Sequence, residues 1–197
     1  MKTYIVPMFF AAIFFVGLMY VSCKDDDTPA SPGGVVSGQW GSGVVNATSV
    51  AGNVNLTGEG VWPPGVGPSV IALYDTAVRT FGVLGYHQVF GLRYNFVLLG
   101  ASMPSGVDTG VYAVGQVADF LVGYGADVTQ IDSSVYKAVS GSINVDSVSG
   151  SSVAGRYFGQ AVKGNGRPIQ LSGTFSVTYV RGLTPISPGN AGPFSPQ

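Results

Sequence analysis

The sequence is poor in the residues on which most enzyme and metal chemistry depends. It has one cysteine, Cys23, one histidine, His87, and one glutamate, Glu59. Charged residues are 10% of the 197-residue chain, against about 25% in an ordinary soluble domain. Because a zinc or other transition-metal site needs several histidine or cysteine ligands, such a site within one chain is excluded. We expect no cofactor.

The sequence also has no run of basic residues. Its formal net charge is −1, and its nine lysines and arginines are scattered along the sequence. A nucleic-acid-binding domain carries clustered lysine and arginine side chains that neutralise phosphates. Nucleic acid is therefore excluded as a partner.

Few residues remain that could carry catalysis. A Ser-His-Asp triad would need His87, but no serine stands in a Gly-x-Ser-x-Gly turn. The segment Gly85–Val89 is predicted to connect two strands, which places this histidine in a turn or at a rim. A glycosidase needs two facing carboxylates. Glu59 lies in a Gly/Pro-rich loop, and the sequence does not identify a second carboxylate that would face it. A hydrolase using Glu59 or His87 is thus the least favoured interpretation, and we expect no enzyme.

Carboxylates could still hold calcium. The aspartates between the predicted strands show no EF-hand or repeat spacing; they are Asp108, Asp119, Asp127, Asp132 and Asp146. Neighbouring glycines and serines favour the alternative that each aspartate begins or caps a turn. We therefore predict turn capping and no metal site.

Glycine, valine and aromatic residues dominate what is present: the chain has 30 glycines, and 12% of its residues are aromatic. Apolar and polar residues alternate over Ile169–Tyr179, and a second apolar stripe runs from Phe90 to Leu98. Alternation with a period of two is typical of a half-buried strand. Residues 35–182 are therefore predicted to form an all-β domain, an antiparallel β-sandwich or a nearly closed β-barrel of about 8–10 strands. One short helical turn is expected within residues 128–139.

Three aromatic residues fall in or beside predicted loops: Trp62, Tyr86 and Tyr124. Exposed aromatic rings stack on sugars or fill pockets in a partner. We therefore single them out as candidate contacts with a ligand or partner. The alternative is that they belong to the core, as most aromatic residues do.

The N-terminus has the parts of a secretory signal peptide. Lys2 precedes an apolar run over residues 5–21, and the small residue Ser22 follows it. The alternative is a retained transmembrane helix, for which this run is at the lower limit of length. We interpret residues 1–22 as a signal peptide, residues 23–34 as a tether and residues 183–197 as a Pro/Gly-rich tail.

The sequence Tyr20-Val21-Ser22-Cys23 resembles the bacterial lipoprotein signal, although leucine is usual at the position of Tyr20. The resemblance implies cleavage before Cys23 and acylation of its thiol, so that the chain is held in a lipid bilayer. The next residues, Lys24, Asp25, Asp26 and Asp27, resemble the surface-export signal of Bacteroidetes lipoproteins. This second resemblance implies an outer-membrane lipoprotein that faces the cell surface; retention facing the periplasm is the alternative.

Three predicted strands resemble, in order, those of the uncharacterised DUF6252-like lipoprotein group of Bacteroidetes. They are Asp108-Thr109-Gly110-Val111-Tyr112, Val139-Ser140-Gly141-Ser142-Ile143-Asn144-Val145 and Leu171-Ser172-Gly173-Thr174-Phe175-Ser176-Val177. The group has no established activity, so the resemblance implies a β fold and a bacterial lipoprotein only.

Together these patterns predict a non-enzymatic binding or structural module anchored in the outer membrane. Its partner would be an unknown protein, a glycan or a small apolar ligand. The alternative function is a lipocalin-like carrier, which the glycine-rich strands would favour if missing side chains left room inside a barrel.

Overall fold

The fold is all-β. A computed structural model describes residues 40–60 and 67–181. The strands are β1 (Ser42–Ser49), β2 (Gly52–Glu59), β3 (Ser69–Asp75), β4 (Thr80–Phe90), β5 (Arg93–Ser102), β6 (Gly110–Ala113), β7 (Ala118–Asp127), β8 (Tyr136–Ser149), β9 (Ser152–Val162), β10 (Ile169–Thr178) and β11 (Val180–Arg181). Between β7 and β8 lie a 3-10 turn (Val128–Gln130) and the short helix α1 (Ile131–Ser134), which confirms the predicted helical turn.

The strands form one sheet in the order β11-β3-β4-β5-β7-β8-β9-β10-β1-β2, with β6 added on β8. Neighbouring strands are antiparallel except β11, which pairs with β3 in parallel. The sheet is therefore mixed, and it curls into a half-barrel. This confirms the predicted fold class. The described strands number eleven, above the predicted range, because β6 and β11 are only four and two residues long.

The two ends of the sheet approach each other beside β3. The backbone N–H of Ala72 in β3 donates to the carbonyl of Trp40 at 2.9 Å. Trp40 in turn donates from its own N–H to the Gly60 carbonyl at 2.8 Å, which extends the β1–β2 pairing. These bonds link the start of β1 to β3 on the far side of the sheet and narrow the opening of the half-barrel.

The concave face of the sheet forms the main core. β10 shows how its sequence produces this face: Leu171, Phe175 and Val177 are buried, whereas Ser172 and Ser176 between them are exposed. Successive side chains of a strand point to opposite faces, so this alternation places every second residue inside. The prediction for β10 is confirmed.

A second apolar cluster lies on the convex face of β3, β4, β5 and β7. Phe96 of β5 and Ala126 of β7 are buried in this cluster with Val135, which follows α1, and Ile131 at the start of α1 packs against it. The other face of β5 is buried too, since Val97 belongs to the main core. The prediction that β5 is half-buried is therefore wrong, because apolar residues cover both of its faces.

Candidate functional site

The residues predicted to anchor and export the chain lie outside the described residues. These are Cys23, Lys24, Asp25, Asp26 and Asp27, together with the candidate contact residue Trp62. The predicted signal peptide, tether and tail lie there too. Their roles stay predictions, and the candidate site is built here from the residues of the β domain.

Tyr86 lies inside β4 and not in a connection between strands. Its side chain is only 4% exposed, and its backbone pairs with Ser69 of β3. The predicted connection over Gly85–Val89 is wrong, because this segment continues the ladders with β3 and β5. The Tyr86 ring is therefore not available to a partner in this conformation.

The hydroxyl of Tyr86 is buried without a hydrogen bond to the described residues. The nearby Ser69 hydroxyl donates to the Glu59 carbonyl at 2.8 Å. Burial raises the pKa of the Tyr86 phenol, and its interaction with the Ser69 side chain opposes that rise. The Nε1–H of Trp40, in the same convex cluster, is also buried and unpaired within the described part.

Tyr124 lies near the end of β7 and points into the half-barrel. Its hydroxyl accepts from Ser49 at 3.1 Å, and its ring meets that of Tyr136 edge-on, with centroids 5.9 Å apart. A Cβ on Gly52 would lie 3.2 Å from the Tyr124 ring. Burial raises the pKa of Tyr124, which the Ser49 bond partly offsets. These contacts tie the β1–β2 turn to β7 and make Tyr124 a packing residue at this rim.

Aromatic rings fill the middle of the half-barrel. Phe120 and Tyr157 lie with their ring centroids 5.1 Å apart, and the Tyr157 hydroxyl donates to the Asn46 carbonyl at 2.7 Å. On the same concave face, the rings of Tyr157 and Phe175 occupy the space beside two glycines that have no side chain. A Cβ on Gly173 would lie 2.5 Å from the Tyr157 ring, and one on Gly155 would lie 2.6 Å from Phe175.

These contacts bear on the interpretation of the chain as a carrier. Its premise was that missing side chains leave room inside the barrel. At Gly155 and Gly173 the premise is wrong, because neighbouring rings already occupy that room. Gly85 lets β1 and β2 pack closely against β4, since a Cβ on Gly85 would collide with the Val45 side chain of β1. Glycine in these strands therefore permits close packing.

The two tyrosine hydroxyls make a matched test of this packing. Tyr157→Phe should lower the free energy of unfolding by about 1–2 kcal/mol, because the Asn46 carbonyl loses its donor. Tyr86→Phe breaks no hydrogen bond with the described residues, so we expect no loss and a gain of up to about 1 kcal/mol. Urea unfolding of both variants measures the difference. Equal destabilisation by the two changes would contradict the assignment.

The residues considered for hydrolysis do not converge. His87 has the inward register of Val83 in β4, at the end where that strand meets β5. Glu59 ends β2 on the exposed face, paired with Ser42 at the start of β1. Their side chains thus leave opposite faces of the sheet. This geometry gives no support to a shared acid–base pair.

The aspartates serve local structure. Asp108 accepts from the N–H of Thr109 at 2.7 Å and Asp127 from that of Thr129 at 2.9 Å, each at a turn. This confirms turn capping for these two. For Asp119 and Asp146 the prediction is wrong, because they lie inside β7 and β8. Asp146 lies 3.6 Å from Arg156 in an exposed ion pair. Among residues 40–60 and 67–181, no group of three or more histidine, cysteine, aspartate or glutamate side chains could hold a metal.

One surface feature was missed by the sequence analysis. Phe90 and Leu92 were predicted to lie in a buried stripe. Phe90 instead ends β4 and Leu92 lies in the two-residue turn to β5, and both are exposed. Gly91, which has a φ of 55°, was the available signal. A glycine between apolar residues can mark a hairpin turn, and a turn there ends the alternation that made these side chains look buried.

Comparisons with protein-family models, curated proteins and solved structures found no match. The resemblance to the DUF6252-like group therefore stays a prediction. In the described ranges, none of the helices has the length and apolar character needed to cross a membrane. The surface feature that stands out most is the group of exposed apolar side chains at residues 89–92, around the β4–β5 turn.

Proposed function

We propose that the chain is an outer-membrane lipoprotein, held by acylated Cys23, that displays a non-enzymatic binding or structural module at the cell surface. The observation that carries the proposal is the position of the only cysteine. It follows an apolar run and precedes Lys24 and three aspartates. Two or more acyl chains make membrane anchoring stable.

The β domain suits a display role. Its main core runs through nearly every strand of one continuous sheet, so the domain is a rigid scaffold for its surface loops. The rings of Phe120 and Tyr157 support a scaffold over a carrier, because they occupy the middle of the half-barrel where a ligand would sit. The separation of Glu59 from His87 supports a role without catalysis.

Replacement of Cys23 tests the anchor. In the native host, Cys23→Ala should prevent lipid attachment, so that the protein no longer fractionates with membranes at its mature size. Intact-mass measurement of the unaltered chain should show a start at Cys23 with added acyl chains. Ser31→Ala, a small change in the same tether, serves as the control and should leave both results unchanged. A Cys23→Ala chain that stays membrane-bound at mature size would contradict the proposal.

Surface display has a separate test. Replacing Asp25, Asp26 and Asp27 with alanine should protect the protein from protease added to intact cells, while acylation continues. Asp132→Ala, an exposed aspartate in α1, is the control and should leave the chain accessible. If the triple variant is digested as readily as the unaltered chain, these aspartates do not direct export.

A further inference from the structure

Three apolar side chains project into solvent at the tip of the β4–β5 hairpin. Phe90 is 82% exposed, Val89 54% and Leu92 48%. We call these three residues the apolar tip. Hairpin turns are usually made of glycine, asparagine, aspartate and serine. An exposed phenylalanine beside such a turn therefore indicates a surface that inserts into a membrane or contacts a partner.

The apolar tip is held in place by hydrogen bonds. The side chain of Gln88 donates to the Gly91 carbonyl, and the N–H of Val128 donates to the Leu92 carbonyl at 3.2 Å. Gly91 takes the positive φ that a two-residue turn requires at its first position. The tip thus presents its side chains on a fixed backbone, which lowers the entropic cost of docking.

Strand register places the tip on a rim rich in positive charge. Arg93 pairs with Phe90 in β4 and with Asp127 in β7, and Lys137 near the start of β8 pairs with Val162 near the end of β9. The β9–β10 turn that follows is on the same rim. In the described part, the lysine, arginine and aspartate side chains of this rim are Arg93, Lys137, Lys163, Arg167, Asp127 and Asp132, and His87 lies at the same end of β4.

On the opposite rim of the sheet, acidic residues outnumber basic ones. It carries the β3–β4 and β8–β9 turns and the segment between β5 and β7. The acidic and basic side chains at that end of the described sheet are Glu59, Asp75, Asp108, Asp119, Asp146, Arg79, Arg156 and Arg181. Positive charge thus predominates on the rim with the apolar tip, and negative charge predominates on the other.

We propose that the rim with the apolar tip docks on a bilayer whose lipid headgroups carry anionic phosphate, with Phe90, Val89 and Leu92 entering the interface. Arg93, Lys163 and Arg167 lie close to the headgroup phosphates. Apolar side chains and basic residues on one surface are the combination that binds membrane interfaces, and each nearby lysine or arginine adds electrostatic attraction. The inference rests on the proposed lipid anchor and adds a second contact with the same bilayer.

The length of the tether allows this orientation. Sixteen residues separate Cys23 from Trp40, and an extended chain of that length spans at most about 55 Å. A domain on such a tether stays close to the bilayer, so the effective concentration of lipid at the tip is high. Docking then needs only modest intrinsic affinity.

The shape of the tip favours lipid over a protein partner. Stable protein interfaces bury roughly 800 Å² on each side and are close-packed. A turn that projects three apolar side chains offers a convex point of much smaller area. Lipid headgroups rearrange around such a point, and burial of one phenylalanine together with nearby basic residues is enough for an interfacial contact.

A fluorescent label tests the orientation. Because Cys23 is the only cysteine and acylation blocks its thiol, Val89→Cys in the acylated chain provides the only free thiol for an environment-sensitive fluorophore. The protein is reconstituted into phosphatidylcholine vesicles with or without phosphatidylglycerol. Val78→Cys, in the exposed β3–β4 turn of the opposite rim, is the matched control. Lipids carrying a quencher within the bilayer report depth.

We expect the label at position 89 to shift to the blue and to be quenched in anionic vesicles, and the label at position 78 to do neither. Adding Phe90→Ser should reduce the docked-to-undocked ratio about 10-fold, the factor expected when about 1.4 kcal/mol of apolar contact is lost. High salt should weaken docking further, because it screens the basic residues.

Two results would overturn the inference. One is acylated, vesicle-bound protein in which positions 89 and 78 respond alike. The other is a blue shift at position 89 that follows protein concentration and needs no lipid, which would indicate association between chains. Failure of the anchor itself is distinguishable, because the intact mass then lacks acyl chains and the protein does not float with vesicles. A chain carrying both Cys23→Ala and Val89→Cys has its only thiol at position 89, so its label, mixed with anionic vesicles, still reports whether the tip enters lipid.

Discussion

Gly173→Ala should destabilise the β domain by about 3 kcal/mol or more, enough to lower its melting temperature by roughly 10 °C. A Cβ at this position would collide with the Asn46 carbonyl and lie 2.5 Å from the Tyr157 ring. Neither neighbour can move cheaply. Asn46 is held by its side chain, which accepts from the Thr174 N–H at 3.0 Å, and Tyr157 is packed against Phe120.

Gly100→Ala is the matched control. Gly100 is also a strand glycine with no positive φ, and a Cβ there would meet nothing within 4 Å. Since alanine restricts the unfolded chain more than glycine does, this variant should be unchanged or more stable by about 0.4–1 kcal/mol. Thermal and urea unfolding of the two variants measure the contrast. A Gly173→Ala chain as stable as Gly100→Ala would show that β1 and β10 are not packed as described.

Phe120→Ala should cost about 3–5 kcal/mol of unfolding free energy, because it leaves a cavity in the middle of the half-barrel. Phe120 is fully buried, at 0% exposed, and contacts Tyr157. Phe158→Ala removes the same number of atoms from the outer face of β9, where the ring is 51% exposed. We expect a loss of less than about 1 kcal/mol there, so the pair separates core packing from strand propensity.

The same variant tests the carrier interpretation. An apolar cavity made by deleting a core ring can bind a small apolar molecule such as benzene. Benzene should therefore raise the melting temperature of Phe120→Ala and leave that of the unaltered chain unchanged. If the unaltered chain is stabilised by benzene or by a longer apolar ligand, it already holds a ligand site, and the carrier interpretation would replace the scaffold interpretation.

Strands whose two faces differ in polarity were predictable residue by residue. In β10, serine and threonine alternate with apolar residues, and a period of two has only one arrangement that keeps the polar residues in water. The short helical turn before β8 was predictable for a similar reason. Asp127, whose carboxylate accepts from Thr129, is a local capping signal that needs no distant contact.

At other positions, secondary structure and burial depend on contacts between strands that are distant in sequence. Gly85, Tyr86, His87 and Gln88 looked like a connection because small and polar residues interrupt the apolar pattern. Pairing with β3 and β5 makes them a strand, and the convex cluster buries Tyr86. For β5, a stripe on one face could not show that the opposite face would also be covered.

The candidate functional residues also fall into a set that the local sequence predicts and a set that only the folded sheet brings together. The proposed anchor stays a prediction, which rests on a contiguous signal around Cys23. The apolar tip depends on where β4 turns into β5, and its charge depends on bringing Arg93 to the same rim as the β9–β10 turn. Residues this far apart in sequence meet only through the register of the whole sheet.

Composition and alternation alone were sufficient for the all-β class and for the inward residues of β10, because each depends on residue type and immediate neighbours. Tertiary structure alone decided that the strands curl into a half-barrel, that rings fill the space beside Gly155 and Gly173, and that Phe90 faces solvent. The reason is that side-chain burial is a property of what packs against a residue, and those partners lie in strands that only the folded sheet brings together.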